Sequence, residues 1–486
     1  MANIRRSLAL TLLQQYGCAA IAFVSIVILA RLLTPTEVGI YSVSAAVVGI
    51  AHMLRDFGVG RYLIQEPDLT TDRLRTAFGI GIATAWTLAA ALFLGRGYIA
   101  EFYGDERLRD VVTVLAGNFL LIPFGAPILW VLTREMRFGQ LLLINVSSQV
   151  VQSVTSIALA MSGFSYMSLA WASLAGALTT TLLASLLDLR HLFVVPSFKA
   201  WRRILGFGLW ASGQSLISEA GNSATDLILG RTLGFGAVAI YSRAQGLIFT
   251  IYRDILKAAN IVALPAFAEG HRQGANLRQP YLRGTSYLIV LTWPVIALFA
   301  LTAYPLINFL FGHNWIAAAP ILQILCVSVA FAPVVTLANQ ILLALGQVKP
   351  IFRIALVVQI ARVLVILVGS LFGLQMVAAL QVVPSAISTF LWLRRLHFAA
   401  GIEARALIRP CLQGVGVVML AGIGPLAVAL TARDTSDFVV LALSGVLWGL
   451  GWLAGIFAVR HPICEEVQRM LAMVFGAVSV VWAKRR

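Results

Sequence analysis

Residues Ile28–Ser42 have the sequence ILARLLTPTEVGIYS, and residues Ile228–Ser242, 200 positions later, have the sequence ILGRTLGFGAVAIYS. Eight of the 15 positions are identical without a gap. Chance similarity between apolar helices is the alternative explanation. The shared Arg31/Arg231 pair and the shared Tyr-Ser ending are not typical of apolar filler, so we interpret the two segments as an internal duplication.

The composition around these segments indicates a membrane protein. Of the 486 residues, 60% are hydrophobic and 12% are charged, and the mean hydropathy is +0.89. A soluble domain needs a more polar surface than this composition supplies. We therefore predict an all-α integral membrane protein, which excludes a soluble enzyme and a secreted disulfide scaffold.

About fourteen apolar stretches approach the ~20 residues that a helix needs to cross the hydrocarbon core. The predicted spans are 8–33, 38–54, 74–94, 108–132, 140–161, 167–187, 204–229, 236–266, 281–301, 316–345, 351–371, 374–393, 410–431 and 437–459. The tail after them is apolar from 470 to 483, which is too short for a further span and suggests an interfacial helix.

The distribution of positive charge predicts the orientation of these spans. With the amino terminus inside, the cytoplasmic segments and their boundaries hold 26 of the 36 Lys and Arg residues, the outer loops hold 6, and 4 fall within spans. Lys and Arg favour the cytoplasmic side of a membrane, so we predict that both termini are cytoplasmic. The same asymmetry accounts for the net charge of +16, because a basic inner face is attracted to anionic membrane lipids. We therefore expect no nucleic-acid partner.

Six predicted spans separate the two copies of the duplicated segment. Because six is even, both halves enter the membrane in the same orientation, as in transporters built from parallel halves. The predicted parts are a first six-helix lobe (1–187), a cytoplasmic linker (188–203), a second six-helix lobe (204–393), a loop with an extra helix pair (394–459) and a cytoplasmic or interfacial tail (460–486).

Five short segments carry a family resemblance through their order and spacing. They are Ala30–Tyr41 (ARLLTPTEVGIY), Arg55–Gln65 (RDFGVGRYLIQ), Asn222–Leu229 (NSATDLIL), Gly230–Gln245 (GRTLGFGAVAIYSRAQ) and Ala263–Phe267 (ALPAF). The chain resembles, over nearly its whole length, the multidrug/oligosaccharidyl-lipid/polysaccharide exporter superfamily. Within it, the chain is similar to the polysaccharide transporter family of O-antigen and exopolysaccharide flippases.

The resemblance implies two six-helix lobes around a central cavity, with an extra helix pair. It implies a flippase that moves undecaprenyl-diphosphate-linked oligosaccharide to the periplasmic leaflet of the bacterial inner membrane by alternating access, for lipopolysaccharide or exopolysaccharide synthesis. The implied partners are that lipid-linked glycan, membrane lipids, and the polysaccharide polymerase and chain-length machinery. Drug antiporters of the superfamily usually have twelve helices, so fourteen spans favour the lipid-linked substrate.

Charged side chains within the spans are the candidate site, because they are costly in hydrocarbon and are expected to face a wet cavity. Arg243, Arg253, Asp254 and Lys257 lie in the eighth predicted span, within an arc of about 100° on a helical wheel, and Arg362 lies in the middle of the eleventh. We predict that these cations bind the diphosphate. The alternative for residues near span ends is snorkelling to the interface with internal ion pairing.

Acidic residues in the seventh predicted span are candidates for ion coupling. Glu219 and Asp226 lie seven residues apart on one helical face, and two carboxylates facing a cavity can carry protons or bind sodium. The alternative for Glu219 and Asp226 is a structural role, which for Asp226 is an ion pair with Arg231 or Arg243. Asp254 is likewise an ion-coupling or a structural residue. No cofactor beyond such a proton or sodium gradient is expected.

Arg55 is a further candidate at the inner end of the second predicted span. It is positioned to touch an incoming headgroup, and a hinge contact with Asp56 is an equal alternative. The four cysteines are widely separated and have no zinc spacing, so neither a metal site nor a catalytic site is predicted.

Other functions remain as alternatives to the flippase. A lipid II flippase also needs diphosphate-binding cations, and a drug/cation antiporter belongs to the same superfamily. A membrane glycosyltransferase or polymerase is disfavoured because the longest predicted outer loop, 95–107, is too short for a folded domain. An ATP-driven exporter is disfavoured because no lysine lies in a phosphate-binding GxxxxGK[ST] loop.

The charge asymmetry yields a prediction about topology. Single cysteines placed in the 188–203 linker should be labelled by membrane-impermeant thiol reagents only after the cytoplasmic side is opened, whereas cysteines in Gly95–Arg107 should be labelled in intact cells. Labelling of the 188–203 linker from the periplasm would contradict the predicted orientation.

Overall fold

A computed structural model of the chain describes residues 2–56, 59–66, 70–187, 196–197, 221, 223–432 and 435–469. Every regular element in these ranges is a helix. A helix satisfies its backbone hydrogen bonds internally, which hydrocarbon requires because it offers no partners of its own. The predicted all-α membrane fold is confirmed.

The helices follow one another with short connections. In chain order they are α1 (Ala2–Leu32), α2 (Pro35–Asp56), α3 (Val59–Gln65), α4 (Thr71–Tyr103), α5 (Arg107–Arg134), α6 (Phe138–Met161), α7 (Met167–Leu187), α8 (223–232), α9 (Phe235–Arg272), α10 (Arg278–Leu301), α11 (Ala303–Phe311), α12 (Ala318–Val329), α13 (Ala332–Ala344), α14 (Val348–Ser370), α15 (Leu374–Leu380), α16 (Val382–Ala400), α17 (Ile408–Thr431) and α18 (Asp437–Ala458). Two 3₁₀ turns, His313–Trp315 and Ala404–Leu407, lie between them.

In the described ranges, eleven helical segments are long and apolar enough to cross a membrane, and twelve if α12 and α13 form one span with a 44° bend. The predicted count of fourteen is therefore not confirmed. The predicted seventh span, 204–229, falls largely outside the described residues. The predicted eighth span is the continuous helix α9, which is not among the eleven because polar and charged residues interrupt its apolar sequence.

The predicted outer loop 95–107 is wrong. α4 continues to Tyr103 and α5 begins at Arg107, so only residues 104–106 leave the helices. Gly104 ends α4 in a left-handed conformation, with φ of 71°. Asp105 then accepts hydrogen bonds from the Arg107 guanidinium, with the Nη2–Oδ2 distance at 2.7 Å, which holds the pKa of that carboxyl below its usual value. The sequence analysis placed the end of the helix where the apolar residues end. A helix can continue beyond the hydrocarbon with polar residues, so its end and the end of the apolar run need not coincide.

The two copies of the duplicated segment contain the same helix break. The chain leaves the helix between α1 and α2 and, 200 positions later, between α8 and α9. The Leu33 amide donates to the Leu29 carbonyl oxygen at 2.8 Å, and the Leu233 amide donates to the Leu229 carbonyl oxygen at the same distance. The register of the repeat in the sequence is therefore also the register of the helix ends.

Different residues produce this break in the two copies. At the first, the Thr34 amide donates to the Glu37 carboxylate at 2.7 Å and the Glu37 amide lies 3.4 Å from the Thr34 hydroxyl, a reciprocal cap that starts α2. At the second, Gly234 adopts a φ of 85°, which glycine tolerates because it has no Cβ.

The helices form two compact units, Met1–Ile240 and Tyr241–Arg486. Within the first, α8 packs on earlier helices, since the Tyr103 hydroxyl donates to the Leu227 carbonyl oxygen at 3.2 Å. The predicted linker 188–203 lies outside the described residues except for Pro196 and Ser197. The lobe boundaries from the sequence therefore stay a prediction.

In the second unit, the predicted extra helix pair, α17 and α18, is bonded to α10 at a proline. Pro294 has no amide hydrogen, so the Val290 carbonyl one turn earlier loses its helical donor. The Trp452 indole nitrogen donates to that carbonyl oxygen at 3.0 Å, and the Trp448 indole nitrogen donates to the Pro294 carbonyl oxygen at 2.9 Å. These two bonds attach α18 to the kinked part of α10.

His461 fixes the chain after α18 to α10. The Ile463 amide donates to its Nδ1 at 3.2 Å, so Nε2 carries the proton and donates to the Ser286 hydroxyl at 2.6 Å. Burial lowers the pKa of His461 to about 4. The imidazole is therefore neutral at physiological pH, and the stability that depends on its neutral form decreases as the pH falls from the ordinary value of 6.5 through about 4.

The contact between α2 and the start of α9, both within the first unit, yields a stability prediction. A Cβ added to Gly39 would collide with the backbone carbonyl of Phe235. Gly39→Ala should therefore destabilise the protein by about 1–3 kcal/mol, the usual cost of overpacking, and lower the thermal unfolding midpoint of the purified protein.

Gly17→Ala is the matched control, because nothing lies within 4 Å of a Cβ at this position of α1. It should leave the unfolding midpoint unchanged or raise it, since alanine favours a helix more than glycine does. Equal midpoints for the two variants would contradict the close approach at Gly39.

Candidate functional site

A polar cavity of about 150 Å³ lies within the second unit. It is bounded by α12, α13, α14 and α16, and by Phe331 at the break between α12 and α13. Arg362, half-buried on α14, is its charged residue, and four hydroxyl side chains share its wall, namely Ser328, Ser385, Ser388 and Thr389. The remaining wall is apolar, so the polar groups of this cavity lie inside otherwise hydrophobic spans.

Three of the hydroxyls come from one face of α16. Ser385, Ser388 and Thr389 are spaced three and four residues apart, which places them side by side on a helix. The Ser385 hydroxyl donates to the Gln381 carbonyl oxygen at 3.0 Å, and the Thr389 hydroxyl donates to the Ser385 carbonyl oxygen at 3.0 Å. Each oxygen keeps lone pairs that can accept a further hydrogen bond.

The size of the cavity limits what it can hold. At roughly 30 Å³ per water molecule, about five waters would fill it, which is also enough for a single phosphate group. A guanidinium donates charge-assisted hydrogen bonds to anionic oxygens, and serine and threonine hydroxyls can form hydrogen bonds with the hydroxyls of a sugar. The arrangement therefore suits one anionic or hydroxylated group of a larger molecule.

Arg243 lies elsewhere in the second unit, against aromatic rings. Its Cζ atom is 5.1 Å from the ring centroid of Trp315 and 5.6 Å from that of Phe311, and both rings are buried. Among the described residues, its Nε has no hydrogen-bond partner. Cation–π attraction thus holds the guanidinium, while its role in substrate contact stays a prediction.

The charged residues predicted to share one face of α9, from Arg243 to Lys257, extend over a longer distance than one lipid headgroup. α9 is continuous from Phe235 to Arg272, so Arg243 and Lys257 lie about 21 Å apart along its axis at ~1.5 Å per residue. Lys257 is exposed. The side chains of Arg253 and Asp254 lie outside the described part of the structure. One diphosphate cannot contact both Arg243 and Lys257 at once.

Arg55 lies in the last turn of α2, in the first unit. Its Nη1 is 3.3 Å from Nδ1 of His52, and the His52 ring stacks on Phe119 with centroids 4.3 Å apart. The side chain of Asp56 is not described. The structure thus places Arg55 beside an imidazole, and its contact with a headgroup remains a prediction.

The acidic candidates are only partly described. Glu219 lies outside the described residues, and Asp226 is half-buried on α8. Of the predicted site residues, Arg362 alone lines the hydroxyl-rich cavity in the described part of the chain.

Sequence reasoning did not identify the side chains that lie near Arg243 and Arg362. The pattern SAIST at 385–389 places hydroxyls at helical spacing and could have indicated a polar face. Trp315 and Phe311 had no such pattern, because their contact with Arg243 joins segments some 70 positions apart.

Comparison with known proteins supports this fold and identifies its relatives. Residues 28–320 match the family described as "Polysaccharide biosynthesis protein". The chain is 26% identical to the teichuronic acid biosynthesis protein TuaB of Bacillus subtilis (strain 168) over 340 residues, 67% of this chain and 68% of TuaB. It is 24% identical to the succinoglycan biosynthesis transport protein ExoT of Rhizobium meliloti (strain 1021) over 449 residues, 89% of this chain and 86% of ExoT.

Among solved structures, the fold is similar to that of the lipid II flippase MurJ in an inward closed conformation. The TM-score is 0.74, and the match covers 92% of this chain and 98% of MurJ at 12% sequence identity. At that identity the similarity shows a shared fold. The family resemblance found in the sequence is confirmed by the family match.

Proposed function

The chain belongs to the polysaccharide biosynthesis protein family, and we propose that it is a flippase for a lipid-linked oligosaccharide. The substrate is an undecaprenyl-diphosphate-linked glycan, which the protein moves from the cytoplasmic to the periplasmic leaflet of the bacterial inner membrane by alternating access. The glycan then serves lipopolysaccharide or exopolysaccharide synthesis, where a polymerase and chain-length machinery are the partners. The protein acts as a transporter and not as an enzyme.

The observation that carries this proposal is Arg362 among four hydroxyl side chains inside apolar helices. An arginine at the centre of a span costs about 2.5–3.5 kcal/mol on insertion scales. A phosphate or sugar group that enters the cavity would offset this free-energy cost by accepting charge-assisted hydrogen bonds from the guanidinium.

The alternatives have weaker support. The similarity to the lipid II flippase MurJ, at 12% identity, supports the fold and not the substrate. A drug/cation antiporter fits neither the family description nor the name of ExoT as a succinoglycan biosynthesis transport protein. A lipid-linked polysaccharide precursor is the substrate class that agrees with both.

The test is Arg362→Gln in a strain that lacks the chromosomal gene. Loss of a charge-assisted hydrogen bond is worth about 1.5–3 kcal/mol, so export should fall roughly 10- to 150-fold while lipid-linked oligosaccharide accumulates on the cytoplasmic leaflet. Arg362→Lys should keep part of the activity, because it keeps the charge and loses the planar donor geometry. The measurements are surface polysaccharide and the leaflet distribution of the lipid-linked intermediate.

Arg353→Gln is the matched control on the same helix, since Arg353 is exposed and does not line the cavity. It should export normally. Wild-type export by Arg362→Gln, at equal protein level, would remove the cavity from the transport mechanism.

We propose further that an ion gradient drives transport through the acidic residues of the seventh predicted span. Asp226→Asn should then abolish gradient-driven export while the protein stays folded in the membrane, because the amide cannot take up and release a proton. Asp110→Asn, an exposed change on α5, is the control. A parallel loss of folded protein in Asp226→Asn would assign Asp226 a structural role instead.

A further inference from the structure

An open, basic pocket of about 460 Å³ lies where α16 ends and the following 3₁₀ turn begins. Phe390, Arg394 and His397 line it from α16, and Glu403 and Arg405 line it from the segment after the helix. Phe390, Arg394 and His397 share one helical face, because they are four and then three residues apart. The pocket belongs to the second unit and is separate from the cavity around Arg362.

Buried residues on both sides of the pocket fix the position of its lining segments. Gly401 ends α16 with a φ of 64°, and its amide donates to the His397 carbonyl oxygen at 3.0 Å. Leu396, Ile402 and Leu407 are each at most 3% exposed and belong to one hydrophobic core. The segment that carries Glu403 and Arg405 is thus anchored on both sides.

The two guanidinium groups of the pocket have no carboxylate partner in the described part of the chain. Neither Arg394 nor Arg405 lies within 4.0 Å of an acidic oxygen there, although Glu403 lines the same pocket. Arg394 instead lies 6.0 Å from the ring centroid of Phe398. Two arginines and one glutamate leave a net charge of one positive, which complements the single negative charge of a phosphodiester.

The position of the pocket along the helices matches the boundary of a bilayer. One candidate span ends at Ala400 and the next begins at Ala404, so the arginines lie at the polar end of both. Phe390 is 63% exposed one turn before Arg394 on α16, and Leu412 is 66% exposed on α17, seven residues after Arg405. The exposed Phe390 ring, which lines the pocket, therefore offers an apolar surface for acyl chains beside the arginines.

We propose that this pocket binds an anionic phospholipid of the surrounding bilayer. The phosphate lies between Arg394 and Arg405, the acyl chains lie along Phe390, and the Glu403 carboxylate accepts hydrogen bonds from a headgroup hydroxyl such as that of phosphatidylglycerol. Glu403 disfavours a diphosphate, which carries more negative charge than the pocket can neutralise. This site is independent of the transport proposal, because it faces lipid and uses none of the residues assigned to the substrate.

The test compares lipids retained by the purified full-length protein in native mass spectrometry, after incubation with equal amounts of phosphatidylglycerol and phosphatidylcholine. The wild type should retain phosphatidylglycerol preferentially. Attraction between anionic lipid and a basic residue near the surface corresponds to about a fivefold change in binding for each arginine. Arg394→Gln/Arg405→Gln should therefore lower the preference by roughly 25-fold, while Arg394→Lys/Arg405→Lys should keep much of it.

The matched control is Lys349→Gln/Arg353→Gln, which removes two exposed charges at the start of α14, on the same predicted face of the membrane. It should keep the preference of the wild type. Glu403→Gln should reduce discrimination between phosphatidylglycerol and phosphatidic acid, which lacks the glycerol hydroxyls of the headgroup. All these positions are exposed, and size-exclusion chromatography verifies that each variant is folded.

Three results would overturn the assignment. An equal loss of the phosphatidylglycerol preference in the control variant would show that anionic lipid is attracted by surface charge in general and does not bind in this pocket. Displacement of phosphatidylglycerol by stoichiometric farnesyl diphosphate would show that the pocket takes a prenyl diphosphate. Displacement by millimolar inorganic phosphate would show a site for free anions.

Discussion

The cost of a charged side chain in hydrocarbon is the constraint on which this structure depends. The structure relieves that cost in two ways. Arg243 lies against buried aromatic rings, and Arg362 lines a cavity with four hydroxyl side chains. Rings fill the space around a guanidinium, whereas the hydroxyls around Arg362 leave a cavity. A ligand can therefore enter beside Arg362, which is why the transport proposal rests on that residue.

The same constraint acts on the backbone wherever a helix is broken. Pro294 leaves the Val290 carbonyl oxygen without its helical hydrogen-bond donor, and the Trp452 indole N–H donates to that oxygen instead. At the bend between α12 and α13, the Trp293 indole donates to the Ala330 carbonyl oxygen at 2.8 Å. Tryptophan suits this role because its ring packs in an apolar environment while its single N–H satisfies a carbonyl. As a result, the hydrogen bonds that satisfy the carbonyls at the α10 kink also attach the extra helix pair to α10.

The duplicated segment shows which features a repeat preserves. Both copies place the helix break at the same register and repeat the same backbone hydrogen bonds, yet the first uses a threonine–glutamate cap and the second a glycine in a left-handed conformation. In both copies, two residues separate the end of one helix from the start of the next. The position of the turn is thus the same in both copies, whereas the side chains that produce it differ.

The sequence by itself determined the helical membrane class, the helices that carry the intramembrane arginines, and the register of the repeat, because hydropathy, charge and spacing are properties of contiguous residues. It did not determine the length of α4 beyond the hydrocarbon, since helix geometry continues there without an apolar pattern. Only the tertiary structure decided that Arg362 lines one cavity with Ser328 and Thr389, and that the Trp452 indole donates to the carbonyl oxygen of Val290. Those contacts join residues that are tens to more than a hundred positions apart, and they arise from the way helices pack, which no local pattern records.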